Sequence, residues 1–307
     1  MNRKLIGIGV SILLVIGGVW AFMIISYKED VGTNNIFVAK DSSDNLTNER
    51  NNSLFELSFS NAEDDLEWSK LSISIQNETE KIGCSKGNFT SNKGINSRIS
   101  TELSSDGITF TATVDATSEE EFTYIDLNNL IEGDNSNFDM RFSKTDIYLS
   151  DQVTGTVIEE IEFEKLVSVP NQEFTETSAD RLDWYDYKLS THRVEAKDRI
   201  YVIDIEDNFY KIMFISYYNE NDDERYISFM IGALGNTTFP ALSNPDLVSP
   251  AKCTIIELND KSDLWEKNET IAIYENDFDI CSEPCSIKIT ITYEGIVVKG
   301  NRTLEIE

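Results

Sequence analysis

The sequence has a single histidine, His192, among its 307 residues. Sites that need two imidazoles from one chain are thereby excluded, which removes most catalytic zinc sites and bis-histidine iron ligation. Positive charge is scarce as well: 26 Lys and Arg stand against 55 Asp and Glu, a net charge of −29. Such a surface repels phosphate backbones and anionic headgroups, so nucleic acid is not a partner. No G-x-S-x-G, H-E-x-x-H, C-x-x-C, Walker or dinucleotide fingerprint occurs, and the acidic runs do not follow the EF-hand pattern. Carboxylate pairs such as Glu159 with Glu160, or Asp222 with Asp223, are expected anywhere in a chain with 55 acids and form a solvated face. The chain is read as a non-enzyme.

What is present begins with an apolar run. Leu5 to Tyr27 carries no charge over 23 positions, and as a helix it would rise roughly 34 Å, enough for a hydrocarbon core of about 30 Å. Arg3 and Lys4 precede it, whereas Lys28 is followed at once by Glu29 and Asp30. The positive-inside bias therefore leaves the bulk of the chain extracytoplasmic, behind a single-pass membrane span at residues 1–27. A cleaved signal ending near Val19-Trp20-Ala21 is the competing reading. Outside the cell four cysteines favour two disulfides over a four-thiolate zinc site, because C-x3-C with two isolated partners fits zinc poorly. Of the three connectivities, one closes Cys281 on Cys285 and leaves Cys84 with Cys253.

Residues 28–53 are polar and read as a flexible linker. Strands follow. Phe55, Leu57 and Phe59 alternate with polar positions, as do Leu71, Ile73 and Ile75, and Ile108, Phe110, Ala112 and Val114. Ser118 to Ile131 fits a short helix or an extended piece equally well. Four of the five prolines bracket residues 171–250, and 11 of the 32 aromatics fall between Trp184 and Phe229. Within that block Arg199–Ile205 and Tyr210–Tyr218 predict a hairpin through Glu206-Asp207-Asn208, and Arg225–Ile231 a third strand. The fold class is mainly β: an N-terminal transmembrane helix, then antiparallel sandwich-like domains. The expected division is 54–165 as a β-rich domain, 166–250 as an aromatic β unit, and 251–307 as a C-terminal β segment completing the first domain.

The run Leu182-Asp-Trp-Tyr-Asp-Tyr-Lys-Leu-Ser-Thr-His-Arg-Val-Glu-Ala-Lys-Asp-Arg-Ile-Tyr-Val-Ile203, followed by Phe209-Tyr-Lys-Ile-Met-Phe-Ile-Ser-Tyr-Tyr218, resembles the HmuY family of haem-binding surface proteins. The resemblance covers about residues 162–234. It implies an all-β scaffold that binds haem through two side chains on the iron, best known as two histidines, a pair this sequence does not possess. Haem iron also accepts a thioether or a phenolate, so the block offers His192 as the metal ligand, with Met213, Met230, Tyr185 and Tyr201 as further haem contacts. Arg193, Lys197 and Arg199, beside Lys188, would meet the propionates. This reading requires a pocket in the tyrosine-dense sheet with the imidazole pointing into it. Read without the resemblance, Met213 is core filler and the tyrosines are ordinary sheet residues.

The N-terminal apolar run and Phe55–Ile73 are similar to archaeal type IV pilin-like surface proteins. That likeness implies a structural or adhesive cell-surface protein without haem, in which the first region and the tail form one β domain interrupted by the aromatic unit. Two functions thus stand at this point: a membrane-anchored protein that captures haem or another flat hydrophobic ligand, and a surface protein whose partners are other surface proteins.

Overall fold

The computed structural model describes residues 36–37, 53–59, 68–76, 81–92, 98–219, 221–257, 269–276, 286–293 and 300–305. The expected membrane span, the pair Cys281 and Cys285, and most of the linker lie outside them. Among the described residues no helix is long and apolar enough to cross a membrane. Two linker residues, Ile36 and Phe37, form an edge strand against Phe59 and Ser58.

The aromatic block folds as the alternation predicts. Ile200–Ile205, Asn208–Tyr218 and Glu224–Ala233 form an antiparallel meander. The first turn is the pair Glu206 and Asp207 at φ 51° and 66°, the left-handed geometry that matches strand twist in two-residue hairpins. The second turn is organised by Asn219, whose Oδ1 accepts the N–H groups of Asn221 and Asp223 at 2.9 Å each.

The meander does not stand alone. Val153–Ile158 pairs with Ile200–Ile205, Phe110–Asp115 pairs with Glu224–Ala233, and Ile99–Leu103 closes the edge, giving a six-stranded sheet that runs across the boundary drawn at residues 165 and 166. Ile108, expected in the third of these strands, instead is 63% exposed. It lies in a turn where the Asp106 carboxylate accepts the N–H of Ile108 and of Thr109, both at 2.9 Å. A side-chain cap won over continued alternation.

Period two decides Ser118 to Ile131. Thr123, Ile125 and Leu127 are all fully buried, so the segment is extended: strand Thr123–Asp126, a turn, then Ile131–Glu132. With Met140–Ser143 and Asp146–Leu149 it makes a four-stranded sheet. The inner residues of this small sheet, Ile125, Met140, Phe142, Ile147 and Leu149, pack on Phe110, Tyr201, Tyr210, Phe214 and Phe229 of the large one. Phe142 stacks on Phe229 at 6.0 Å and an interplanar angle of 6°. Each such fully buried ring contributes on the order of 2–3 kcal/mol.

The other face of the six-stranded sheet carries Ile200, Val202 and Met230, covered by Phe163, Leu166 and Leu234. Lys211 lies on this side, 8% exposed. Its Nζ donates to the carbonyls of Phe163 at 2.6 Å and Leu166 at 3.0 Å and sits 4.3 Å from the Phe163 ring centroid. Those acceptors are what make a buried ammonium tolerable.

A further eight-stranded sheet is drawn from both ends of the chain. Its order is Ile36–Phe37, Ser53–Phe59, Glu269–Glu275, Cys253–Glu257, Lys81–Ser85, Leu71–Gln76, Ser286–Tyr293 and Gly300–Glu305. Cys253–Glu257 and Lys81–Ser85 run parallel with Cys253 opposite Cys84. These two cysteines form a disulfide with Cα atoms 4.9 Å apart, bridging 169 positions. Of the three connectivities left open by the sequence, the structure has the one that joins Cys84 to Cys253.

Candidate functional site

A separate hairpin, Tyr185–Lys188 paired with Arg193–Ala196, stands on the sandwich. Its base is set by Trp184, which is fully buried and donates from Nε1 to the Thr145 carbonyl at 2.8 Å. Tyr185, Val194 and Ala196 pack against the sandwich core. Residues 189–192 make the tip.

His192 occupies the last tip position at φ 56°, a left-handed conformation that non-glycine residues seldom adopt. The side chain is exposed. Its Nδ1 lies 3.1 Å from the Tyr187 hydroxyl oxygen, and Nε2 has no partner among the described residues. Tyr187 is 51% and Leu189 77% exposed, so the tip presents a ring, an aliphatic side chain and an imidazole together in an acidic protein.

The cations around the hairpin are engaged. Arg193 holds the Asp222 carboxylate with two bonds, Nη1 to Oδ2 at 3.0 Å and Nη2 to Oδ1 at 2.6 Å. Its guanidinium lowers the Asp222 pKa. Lys197 lies 2.5 Å from Asp183 and 3.7 Å from Asp186, and Lys197 above all holds the Asp183 carboxyl below its ordinary value. Arg199 pairs with Glu159 at 2.7 Å and Asp183 at 3.5 Å. Lys188 is the loosest, 3.8 Å from Glu195. Of these cations it is the one freest to meet a ligand carboxylate.

The structure divides the sequence-selected residues into three places. His192, Arg193, Tyr185 and Lys197 belong to the hairpin and its base, with Arg199 beside them. Tyr201 is 1% exposed on the sheet face that packs against the small sheet, and burial raises its phenol pKa. Met213 and Met230 are cross-strand neighbours on the opposite face, beneath Phe163 and Leu166. The pocket expected among the sheet tyrosines is thereby corrected: Tyr201, Tyr210 and Tyr217 are 1%, 0% and 5% exposed and fill the core. Their rings lie on the covered side of the pleat, where burial is most favourable. The imidazole stands apart from them at the hairpin tip.

Sequence reasoning did not single out Tyr187 or Tyr218 among the tyrosines of the block, set Asp222 aside as part of a solvated acidic pair, and passed over Leu189. Tyr187 and His192 lie five positions apart across the tip, a hairpin-scale spacing that was available as a signal. Asp222 lies 29 positions from Arg193, and nothing local announces it. Among the described residues no three His, Cys, Asp or Glu side chains converge as a metal site of protein ligands alone.

No family model matches the chain, and no curated protein matches its sequence. Solved structures do. A protein from Bacteroides fragilis described as a lipoprotein is similar at 16% identity over 42% of this chain and 91% of its own, with a TM-score of 0.36. An apo HmuY analogue from Tannerella forsythia is similar at 14% identity, 42% of this chain and 97% of its own, TM-score 0.36. A Bacteroides vulgatus protein described as HmuY-like and haem-binding follows at 12%, 41% and 91%, TM-score 0.33. The likeness is to HmuY-type structures and is partial. At these TM-scores it carries no inference about what this chain binds.

Proposed function

We propose that this protein is a membrane-tethered, extracytoplasmic binding protein that captures haem, or a similarly flat apolar ligand, not in a pocket among the sheet tyrosines, whose rings are buried in the core, but on the exposed tip of the hairpin formed by Tyr185–Lys188 and Arg193–Ala196. One observation carries the reading: the Tyr187 hydroxyl is within hydrogen-bond reach of Nδ1 of the exposed His192, whose Nε2 has no partner among the described residues. When Nδ1 carries the proton and donates it to the tyrosine oxygen, Nε2 keeps a lone pair for a metal. That is the arrangement in which a second group fixes the tautomer of a metal-ligating imidazole. Tyr187 and Leu189 supply apolar contact for a macrocycle, and Lys188 a cation for a propionate. Bound haem would supply iron as the acceptor for Nε2. The apolar run Leu5 to Tyr27 supports the tether.

The test is a haemin titration of the full-length chain in detergent micelles, followed by absorbance. A saturable Soret shift is expected, lost in His192→Ala and weakened about tenfold in Tyr187→Phe, the lower end of what removing such an orienting partner costs. Unchanged spectra on adding haemin to the unsubstituted chain would eliminate the reading, and so would a shift that survives in His192→Ala. Release of the chain from membranes by salt alone would refute the tether.

A further inference from the structure

Six arginines have described side chains, and five of them meet a carboxylate: Arg98 with Glu132, Arg181 with Asp146, Arg193 with Asp222, Arg199 with Glu159, and Arg225 with Glu119. Arg141 has no acidic partner among the described residues. Its Nε is buried without a hydrogen-bond acceptor. In a chain of charge −29 an unneutralised guanidinium is the exception that needs a cause.

Its surroundings are aromatic. Arg141 lies in the middle of the small sheet, opposite Tyr124 on one neighbour and Tyr148 on the other. The pleat turns these three outward, because the alternating residues Ile125, Met140, Phe142, Ile147 and Leu149 face the core. The guanidinium carbon is 4.8 Å from the Phe122 ring centroid and 5.2 Å from that of Tyr148. Phe122 lies 6.3 Å from Tyr124, and Tyr124 4.9 Å from Phe138. Two half-buried rings, Phe122 and Tyr148, thus flank one cation on an outer sheet face, and Tyr124 and Phe138 extend the aromatic patch beside them.

The geometry points to this face as a second binding site, for a sugar residue that carries a carboxylate, such as a hexuronic or sialic acid. The guanidinium fork matches one carboxylate. Ring faces suit the C–H face of a pyranose. Tyr148 Oη has no partner among the described residues, and Tyr124 Oη, within 3.2 Å of Asn135 Oδ1, keeps a lone pair for a sugar hydroxyl. A single cation fits a ligand with one charge per unit, whereas polyanions such as nucleic acid or an anionic bilayer meet the repulsion of the whole chain. An acidic peptide shares the carboxylate but offers no broad C–H face to the aromatic patch. The site is independent of the hairpin.

Calorimetric titration of the full-length chain in detergent with glucuronate and N-acetylneuraminate tests this, with glucose, N-acetylglucosamine and a diglutamate peptide as comparators. Saturable heat with at least one acid sugar and none with the neutral sugars is expected. Arg141→Gln should weaken binding about tenfold or more, and Arg141→Lys less, since lysine keeps the charge but not the fork. Saturation-transfer NMR on the unsubstituted chain keeps the test decisive if a variant misfolds: pyranose ring protons should receive magnetisation from the protein's aromatic protons. No saturable binding of either acid sugar, equal affinity in a folded Arg141→Gln chain, or tighter binding of diglutamate than of both acid sugars would overturn the assignment.

Discussion

The guanidinium carbon of Arg193 lies 3.9 Å from the centroid of the Tyr218 ring, and the hydroxyl of that same ring accepts the N–H of Val194 at 3.1 Å. Tyr218 thus holds the His192 hairpin by its charge and by its backbone at once. It can do so because the strand Asn208–Tyr218 is irregular at its end. Register shifts between Phe214 and Ser216 and between Ser216 and Tyr218 break the alternation, and Ser216 Oγ accepts the Tyr218 N–H at 2.9 Å. Bulges of this kind re-aim a side chain. Tyr217 enters the core and its neighbour Tyr218 meets the hairpin.

Tyr218→Phe should loosen the hairpin without unfolding the sandwich. The lost acceptor costs on the order of 1 kcal/mol, so amide exchange across Arg193–Ala196 should quicken by roughly five- to tenfold while the global unfolding midpoint moves little. Hydrogen exchange resolved by mass spectrometry reads this directly. Unchanged exchange in that strand would show that the tyrosine hydroxyl does not hold it.

Asp139 gives a pH dependence whose sign is opposite to the usual acid case. Burial is the chief cause that pushes its carboxyl up to about 6, with the Asp126 charge adding, while the hydrogen bond from the Leu127 N–H opposes. The unfolded chain loses this proton near pH 4 and the folded one near 6. Folding stability is therefore highest below that window and falls as pH rises through it. Asp139→Asn keeps an oxygen for Leu127, so the variant should gain on the order of 1–2 kcal/mol at neutral pH, a figure reduced for partial exposure, and little at pH about 4. Urea unfolding at the two pH values decides it; an equal effect at both would count against a shifted carboxyl.

The bond between Cys84 and Cys253 closes a loop spanning 169 positions. Replacing both cysteines with alanine should cost about 3–5 kcal/mol and lower the melting temperature by roughly 10 °C. Reductant should bring the unsubstituted chain to a similar value. Calorimetric melts with and without reductant provide the measurement, and coincident melts would mean that the bond adds no stability.

Much of the fold was legible where alternation and turn chemistry agree. Ile200–Ile205 and Asn208–Tyr218 carry period-two hydrophobicity around Glu206 and Asp207, and they pair as read. Illegible were the pairings between distant segments, such as Val153–Ile158 with Ile200–Ile205, because alternation states that a face is buried and not which strand lies beside it. The same gap affected the site. Tyr201 and Met230 sit on opposite faces of one sheet, and the face each points to depends on which layer covers it. His192 was singled out by its rarity and by the surrounding motif. Its position at an exposed tip follows from a left-handed turn that composition does not reveal.

The eight-stranded sheet takes its neighbours from residues 36–85 and 253–305, which sets an order on biogenesis. With 169 positions separating Cys84 from Cys253, and ribosomes adding about 5–20 residues per second, the early strands wait roughly 10–30 s for their partners to emerge. During that interval the intervening sandwich can mature while the leading strands expose unpaired edges, so a chaperone or translocation factor that shields them would act before the tail arrives.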